Sequence, residues 1–273
     1  MLTRLIPATG EELPVIGLGT WQTFDVRLTP ATRTQLGAVL TGLVEGGARL
    51  VDSSPMYGQS ERVVGELAAG LNLHPRLFLA TKVWTTGRTE GIRQMEASMQ
   101  KLQTETLDLM QVHNLVDVET HLDTLQGWKQ DGRVRYIGVT HYTASAHDAL
   151  ARILASRPLD FVQVNYSVEE PEAAQHVLPL AQARGVAVLV NRPLGGGGLI
   201  RRLRNRLLPA WATVAGYTSW SALLLAFVLA HPAVTCVIPA TSQAAHLQEN
   251  LAAARLPLPD AALLARIEAE VQV

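Results

Sequence analysis

The chain has 273 residues, a formal net charge of −1, and 48% apolar against 17% charged residues. That balance supplies a large core and excludes the electrostatic footprint of a nucleic-acid or anionic-membrane binder, the cluster Arg201, Arg202, Arg204 and Arg206 being the one local exception. A single cysteine, Cys236 in the apolar run VTCVIP, rules out an internal disulfide framework and reads as a packed thiol.

In chain order, MLTRLIPATGEELP carries no apolar h-region, and LIPATGEELPV reads as a β-hairpin turning at Ala8–Glu11. Short β-branched runs then alternate with stretches of helical period. VIGLGTW (15–21) precedes a helix over 29–47, with Thr29 as N-cap, Pro30 at the first helical position and Gly46-Gly47 at its end. RLVDSS (49–54) precedes SERVVGELAAG; LFLATKV (77–83) precedes RTEGIRQMEASMQKLQ; LDLMQVHN (107–114) precedes VETHLDTLQGWKQDG. VRYIGVTH (134–141) precedes TASAHDALARILASR, and DFVQVNY (160–166) precedes PEAAQHVLPLAQARG. VAVLVN (186–191) precedes a long connection over 192–217 and then TSWSALLLAFVLAHP; VTCVIPA (234–240) precedes SQAAHLQENLAAA. PDAALLARIEAEVQ (259–272) closes the chain. Strict βα alternation in eight units predicts an α/β fold, a (β/α)8 TIM barrel with an N-terminal hairpin and an extra C-terminal helix, formed by residues 1–273 as one domain. An open doubly wound sheet is the runner-up. The stretch ALLLAFVLA (222–230) is about half the length of a membrane span. A soluble cytoplasmic protein is the expectation.

Strands of a parallel barrel are buried on both faces and should be apolar throughout, so polar residues at their ends carry information. The second run ends in Asp52 and the third near Lys82. The fourth ends in His113-Asn114, the fifth in Thr140-His141, and the seventh in Asn191; the sixth holds Gln163 and Asn165. Taken singly, Asp52 could cap a turn and His113 could be a core histidine. Lys82 is harder to dismiss, because a lysine at a buried strand end needs a carboxylate, and Asp52 on the adjacent strand could supply it. All strand C-termini of a barrel meet on one face, so scattered polar ends become one cluster.

With those residues in view, GLGTW, the run LVDSS continuing into PMYG, ATKVW, LDLMQVHN, IGVTHY, FVQVNYS, RPLGGG and VIPATSQAAHLQEN together resemble, in order and spacing, the motifs of aldo-keto reductases. The resemblance implies an NAD(P)H-dependent carbonyl reductase. Its catalytic Asp, Tyr, Lys and His fall on Asp52, Tyr57, Lys82 and His113: a phenol as acid, its pKa lowered by Lys82, Lys82 held charged by Asp52, and His113 orienting the carbonyl. It implies cofactor contacts from Gly19, Thr20, Thr140, His141, Gln163, Asn191, Arg192, Pro193, Leu194, Gly195, Pro239, Ala240, Thr241, Ser242, His246, Glu249 and Asn250, and a substrate mouth at Trp21 and Trp84.

Three departures stand out. Thr140-His141 replace the usual Ser-Asn, Asn191 replaces a stacking Tyr, and Ala240 and His246 stand where basic residues usually grip a 2′-phosphate. NADP(H) is favoured with NAD(H) as the alternative, an arginine from 201–206 serving as a substitute grip. The partner is a small carbonyl compound, with no nucleic acid, membrane or metal, and a monomer or small homo-oligomer is expected. A non-catalytic nucleotide-binding barrel and a Schiff-base lysine barrel are the competing readings.

Overall fold

The computed structural model describes residues 1–271. The hairpin forms as β1 (Thr3–Ile6) and β2 (Glu11–Pro14), paired antiparallel across residues 7–10. The barrel strands follow as β3 (Leu18–Gly19), β4 (Leu50–Asp52), β5 (Phe78–Val83), β6 (Leu107–His113), β7 (Val134–His141), β8 (Phe161–Asn165), β9 (Ala187–Asn191) and β10 (Val234–Val237). They pair in parallel, in chain order, and bridges from Ile16 to Val237 and Gly19 to Ala240 join the first strand to the last. That closure discards the doubly wound alternative, which needs two free sheet edges.

Helices α1 (Pro30–Glu45), α2 (Ser60–Gly70), α3 (Arg88–Leu102), α4 (Val118–Gln130), α5 (His147–Ser156) and α6 (Val177–Ala183) follow β3 to β8. At α1, Thr29 accepts from Thr32 N–H at 3.2 Å while the Thr32 hydroxyl accepts from Thr29 N–H at 2.8 Å, a reciprocal capping box ahead of Pro30. The connection after β9 is not a bare loop. It folds into α7 (Gly198–Leu203) and α8 (Ala210–Val214), each too short to show a helical period in sequence. Then come α9 (Trp220–Ala230), α10 (Ala244–Ala252) and α11 (Ala261–Val271). Gln272, the last position of the helix expected over 259–272, lies outside the described residues, as does Val273.

Side chains alternate across a strand, so one face of each barrel strand packs outward on helices and the other fills the interior. Inside, Leu50, Phe78, Ala80, Leu109, Tyr136, Phe161, Ala187, Leu189 and Cys236 form a buried apolar plug, closed below by Ile6 and Leu13 of the hairpin. Phe78 stacks on Tyr136, whose edge meets Phe161. The Tyr136 hydroxyl reaches Glu11 at 2.6 Å and Thr9 at 2.7 Å, tying the hairpin to the barrel floor.

Further along the same inward faces the chemistry changes. Leu50 is followed by Asp52, Ala80 by Lys82, Leu109 by Gln111 and His113, Phe161 by Gln163 and Asn165, and Leu189 by Asn191. The interior thus runs from apolar at the strand N-termini to polar at the C-termini.

Candidate active site

Lys82 sits on β5 with its side chain fully buried, where an unpaired ammonium would be costly. Its Nζ donates to Asp52 Oδ2 at 2.6 Å and to the Ser53 carbonyl at 2.7 Å. The other Asp52 oxygen, Oδ1, accepts from Gln163 Nε2 at 3.0 Å and from Gln111 Nε2 at 3.3 Å. The Thr140 hydroxyl donates to Gln163 Oε1 at 3.1 Å and so fixes which end of that amide faces Asp52. The Thr20 hydroxyl bonds the Asp52 carbonyl and the Ser53 hydroxyl, each at 3.0 Å, pinning the exit of β4. Burial pulls the Lys82 ammonium down, but Asp52 and then Tyr57 outweigh it and leave its pKa raised. A lysine held so firmly charged is no Schiff-base nucleophile.

Tyr57 stands on the turn after β4. Its N–H donates to the Ser54 carbonyl at 3.0 Å, and its carbonyl accepts from Ser60 N–H at 3.1 Å. Gly58 follows at φ +57°, where a β-carbon would also strike the Asp25 carboxylate; Asp25 Oδ1 accepts from Gln59 N–H at 2.9 Å and secures the turn. The Lys82 ammonium lies 5.1 Å from the Tyr57 ring centroid.

The structure corrects one expectation here. Lys82 does pull the phenol pKa down, but burial is the larger influence and Asp52 adds to it, so the net direction is upward. Tyr57 is therefore a phenol, not a phenolate, at neutral pH.

His113, at the end of β6, meets Tyr57 edge-on with ring centroids 6.0 Å apart. Burial first, then the charges of Lys82 and His141, lower its pKa to about 3, so the imidazole is neutral. Its Nδ1 lies 3.1 Å from the Ser54 hydroxyl. Asp52, Tyr57, Lys82 and His113 thus come together at one end of the barrel. Trp21 and Trp84 follow β3 and β5 at the same end and are about half exposed, at 49% and 43%, so they line a rim instead of a core.

The remaining candidates divide. Thr20 and Gln163 are buried and hydrogen-bond Asp52, Thr20 through its hydroxyl to the carbonyl and Gln163 through one amide N–H to the carboxylate. His141 stacks flat on Tyr142, and its Nδ1 accepts from Thr143 N–H at 3.2 Å. Among the described residues Asn191 Oδ1 and Arg192 Nε are buried without a hydrogen-bond partner, and Arg192 adopts φ +51°. Pro193 and Leu194 lead into Gly195, Gly196 and Gly197, all at positive φ, which keep the backbone bare there. Gly19, Pro239 and Thr241 are buried where β3 and β10 meet, while Ala240 and His246 are exposed. Ser242, Glu249 and Asn250 lie at or on α10, whose first N–H groups have no side-chain cap.

Of the arginines offered as a substitute grip, Arg202 pairs with Glu169 and Arg206 with Glu270. Among the described residues Arg201 and Arg204 form no ion pair. Sequence reasoning missed Ser54 and Gln111. Gln111 could have been found as the polar residue two before His113 on the same strand face.

The model of the Aldo/keto reductase family matches residues 15–269. The chain belongs to the aldo/keto reductase family. It is 29% identical to methylglyoxal reductase YeaE of Escherichia coli, over 96% of this chain and 93% of that protein. It is 28% identical to aldo-keto reductase YhdN of Bacillus subtilis over 72% of this chain and 63% of that one. Among solved structures, an aldo/keto reductase from Klebsiella pneumoniae in complex with NADP and acetate aligns with TM-score 0.79 at 27% identity, covering 96% of this chain and 93% of that chain. An aldo-keto reductase from the same organism in complex with NADPH aligns with TM-score 0.79 at 26% identity, over 99% and 96% of the two chains. This protein is an oxidoreductase of the carbonyl-reducing aldo-keto type. No helix among the described residues is long and apolar enough to cross a membrane.

Proposed function

We propose that this aldo-keto reductase converts an aldehyde or ketone to its alcohol with NADP(H), and that Tyr57 delivers the proton. The observation that carries the assignment is the fully buried Lys82 ammonium, 2.6 Å from Asp52 and set against the Tyr57 ring.

The residues beyond the strand ends suit a dinucleotide. Asn165 Oδ1, Asn191 Oδ1 and Arg192 Nε are buried polar atoms with no protein partner among the described residues. A β-carbon added at Gly197 or Gly198 would meet nothing within 4 Å. The start of α10 offers free backbone N–H groups of the kind that hold phosphate. Asn191, Arg192 and the Gly195–Gly197 segment would then hold one part of the cofactor, and Thr241, Ser242 and Asn250 another. When bound, the dinucleotide supplies the hydride.

The chain's own residues manage the proton and the charge. His113, neutral, donates a hydrogen bond to the carbonyl oxygen and orients it beside Tyr57. Tyr57, held as a phenol, gives its proton to that oxygen as negative charge grows there. The phenolate left behind faces the Lys82 ammonium, which Asp52 keeps in place. Gln163 and Gln111 hold Asp52 in turn. Trp21 and Trp84 give the entrance an aromatic rim. In this scheme the chain acts as one barrel domain on a small molecule in solution, as a monomer or small homo-oligomer.

The test is an assay at the NAD(P)H absorbance band with aldehydes, α-keto compounds and quinones and both cofactors. The name of the E. coli relative places α-keto aldehydes first in that panel. Turnover is expected, faster with NADPH. Tight cofactor binding without turnover of any carbonyl would favour the non-catalytic barrel, and tighter binding of NADH would overturn the cofactor choice.

A further inference from the structure

The Ser54 hydroxyl has no part in the four-residue scheme, yet it touches one of the four side chains. Ser54 is fully buried at the exit of β4. Among the described residues its Oγ has two partners, His113 Nδ1 at 3.1 Å and the Met56 backbone N–H at 3.4 Å. The amide can only donate, so Oγ accepts there. The hydroxyl proton then has one acceptor within reach, the lone pair of Nδ1. Were Nδ1 to carry the imidazole proton, Oγ would accept twice and its own proton would be buried without an acceptor, an arrangement that buried polar groups avoid.

We propose that Ser54 is a positioning residue that fixes the tautomer of His113, holding Nδ1 as an acceptor so that Nε2 carries the proton. Among the described residues Nε2 has no protein partner, and it is not among the buried polar atoms cut off from solvent. It is therefore the ring nitrogen free to meet a substrate. A neutral imidazole can donate from one nitrogen only. The pKa of His113, lowered to about 3, means that protonation does not supply the second donor in the neutral range. Ser54 thus decides whether His113 presents a donor or a lone pair to the carbonyl oxygen. The same contact holds the ring edge-on to Tyr57, with an interplanar angle of 85°.

The proposal rests on the reading of His113 as the carbonyl-orienting group, and its test separates the two. Long-range proton–nitrogen correlation spectra of the uniformly 15N-labelled protein, with His113 assigned by its absence in His113→Asn, report the protonation of each ring nitrogen directly. Wild type should show a single tautomer, protonated at Nε2, with Nδ1 shifted as a hydrogen-bond acceptor. Ser54→Ala should lose that acceptor shift and gain a population protonated at Nδ1; Ser54→Thr, which keeps the hydroxyl, should restore the wild-type pattern. In parallel, kcat/KM for the carbonyl should fall about five-fold in Ser54→Ala, the factor that matches one hydrogen bond, with cofactor affinity unchanged and recovery in Ser54→Thr. A wild-type spectrum protonated at Nδ1, or a Ser54→Ala spectrum identical to wild type, would overturn the proposal. Full turnover in His113→Asn would instead remove the reading beneath it, whatever the spectra show.

Discussion

Breaking the buried Lys82–Asp52 pair from either side should destabilise the protein by several kcal/mol, and the two losses should not add. In Asp52→Asn the Lys82 ammonium stays wholly buried with the Ser53 carbonyl, at 2.7 Å, as its remaining strong acceptor. In Lys82→Met the carboxylate stays buried with only the amides of Gln163 and Gln111, at 3.0 and 3.3 Å. An uncompensated buried charge costs about 3–5 kcal/mol, and at the entropy of unfolding expected for a chain this long that is a fall in Tm of about 5–9 °C. The double variant removes both charges and should recover about 2–3 kcal/mol relative to the sum of the singles. Urea melts of the four proteins supply the cycle. Additive losses, with a coupling below about 0.5 kcal/mol, would refute the pairing and with it the reason Lys82 stays charged beside Tyr57.

Further outcomes follow from the same site. Reduction needs the protonated phenol, and the Tyr57 pKa is raised by burial; kcat should therefore stay level through the neutral range and fall only above about pH 10. No inflection from His113 should appear near neutrality, because its pKa lies near 3, and an inflection near 6.5 that vanishes in His113→Asn would contradict its neutral assignment. For stability the sign is fixed by that depression. The folded protein binds fewer protons at His113 than the unfolded chain does, so this contribution is complete above pH 6.5 and is lost as pH falls toward 3. Its full size is on the order of 5 kcal/mol, and acid titrations of His113→Asn should show a shallower loss than wild type. Cys236 is fully buried and its pKa is raised, so an aromatic disulfide reagent should leave the native protein unlabelled and react only on unfolding.

Much of this site is legible in the amino-acid sequence, for a physical reason. A barrel interior admits polar groups only near its open end, so Asp52, Lys82 and His113 betray themselves by ending apolar runs. Tyr57 follows Asp52 by a fixed short turn. Other parts are not written in local pattern. Ser54 looks like one more turn residue between Asp52 and Tyr57, and only the three-dimensional meeting of β4 with β6 shows its hydroxyl against His113. Gln163 reads as a group that meets a ligand, and only the structure shows that its amide also donates to Asp52, a contact between β8 and β4 across the barrel interior. The direction of the Tyr57 pKa depends on a balance between burial and the Lys82 charge, and a sequence names both influences without weighing them. The segment 192–217 offers glycines, prolines and helices of six and five residues, too short for a period to emerge, so its folding into α7 and α8 was hidden.

The central claim is that the Tyr57 hydroxyl protonates the substrate oxygen, and Tyr57→Phe tests it most directly because only that oxygen is removed. Stopped-flow reduction of an α-keto aldehyde, paired with fluorescence titration of NADPH, separates chemistry from binding. Cofactor affinity should stay within about two-fold, while the reduction rate should fall by about 10²–10⁴, the range for a lost general acid. A Tyr57→Phe protein that reduces its substrate at the wild-type rate would contradict the assignment.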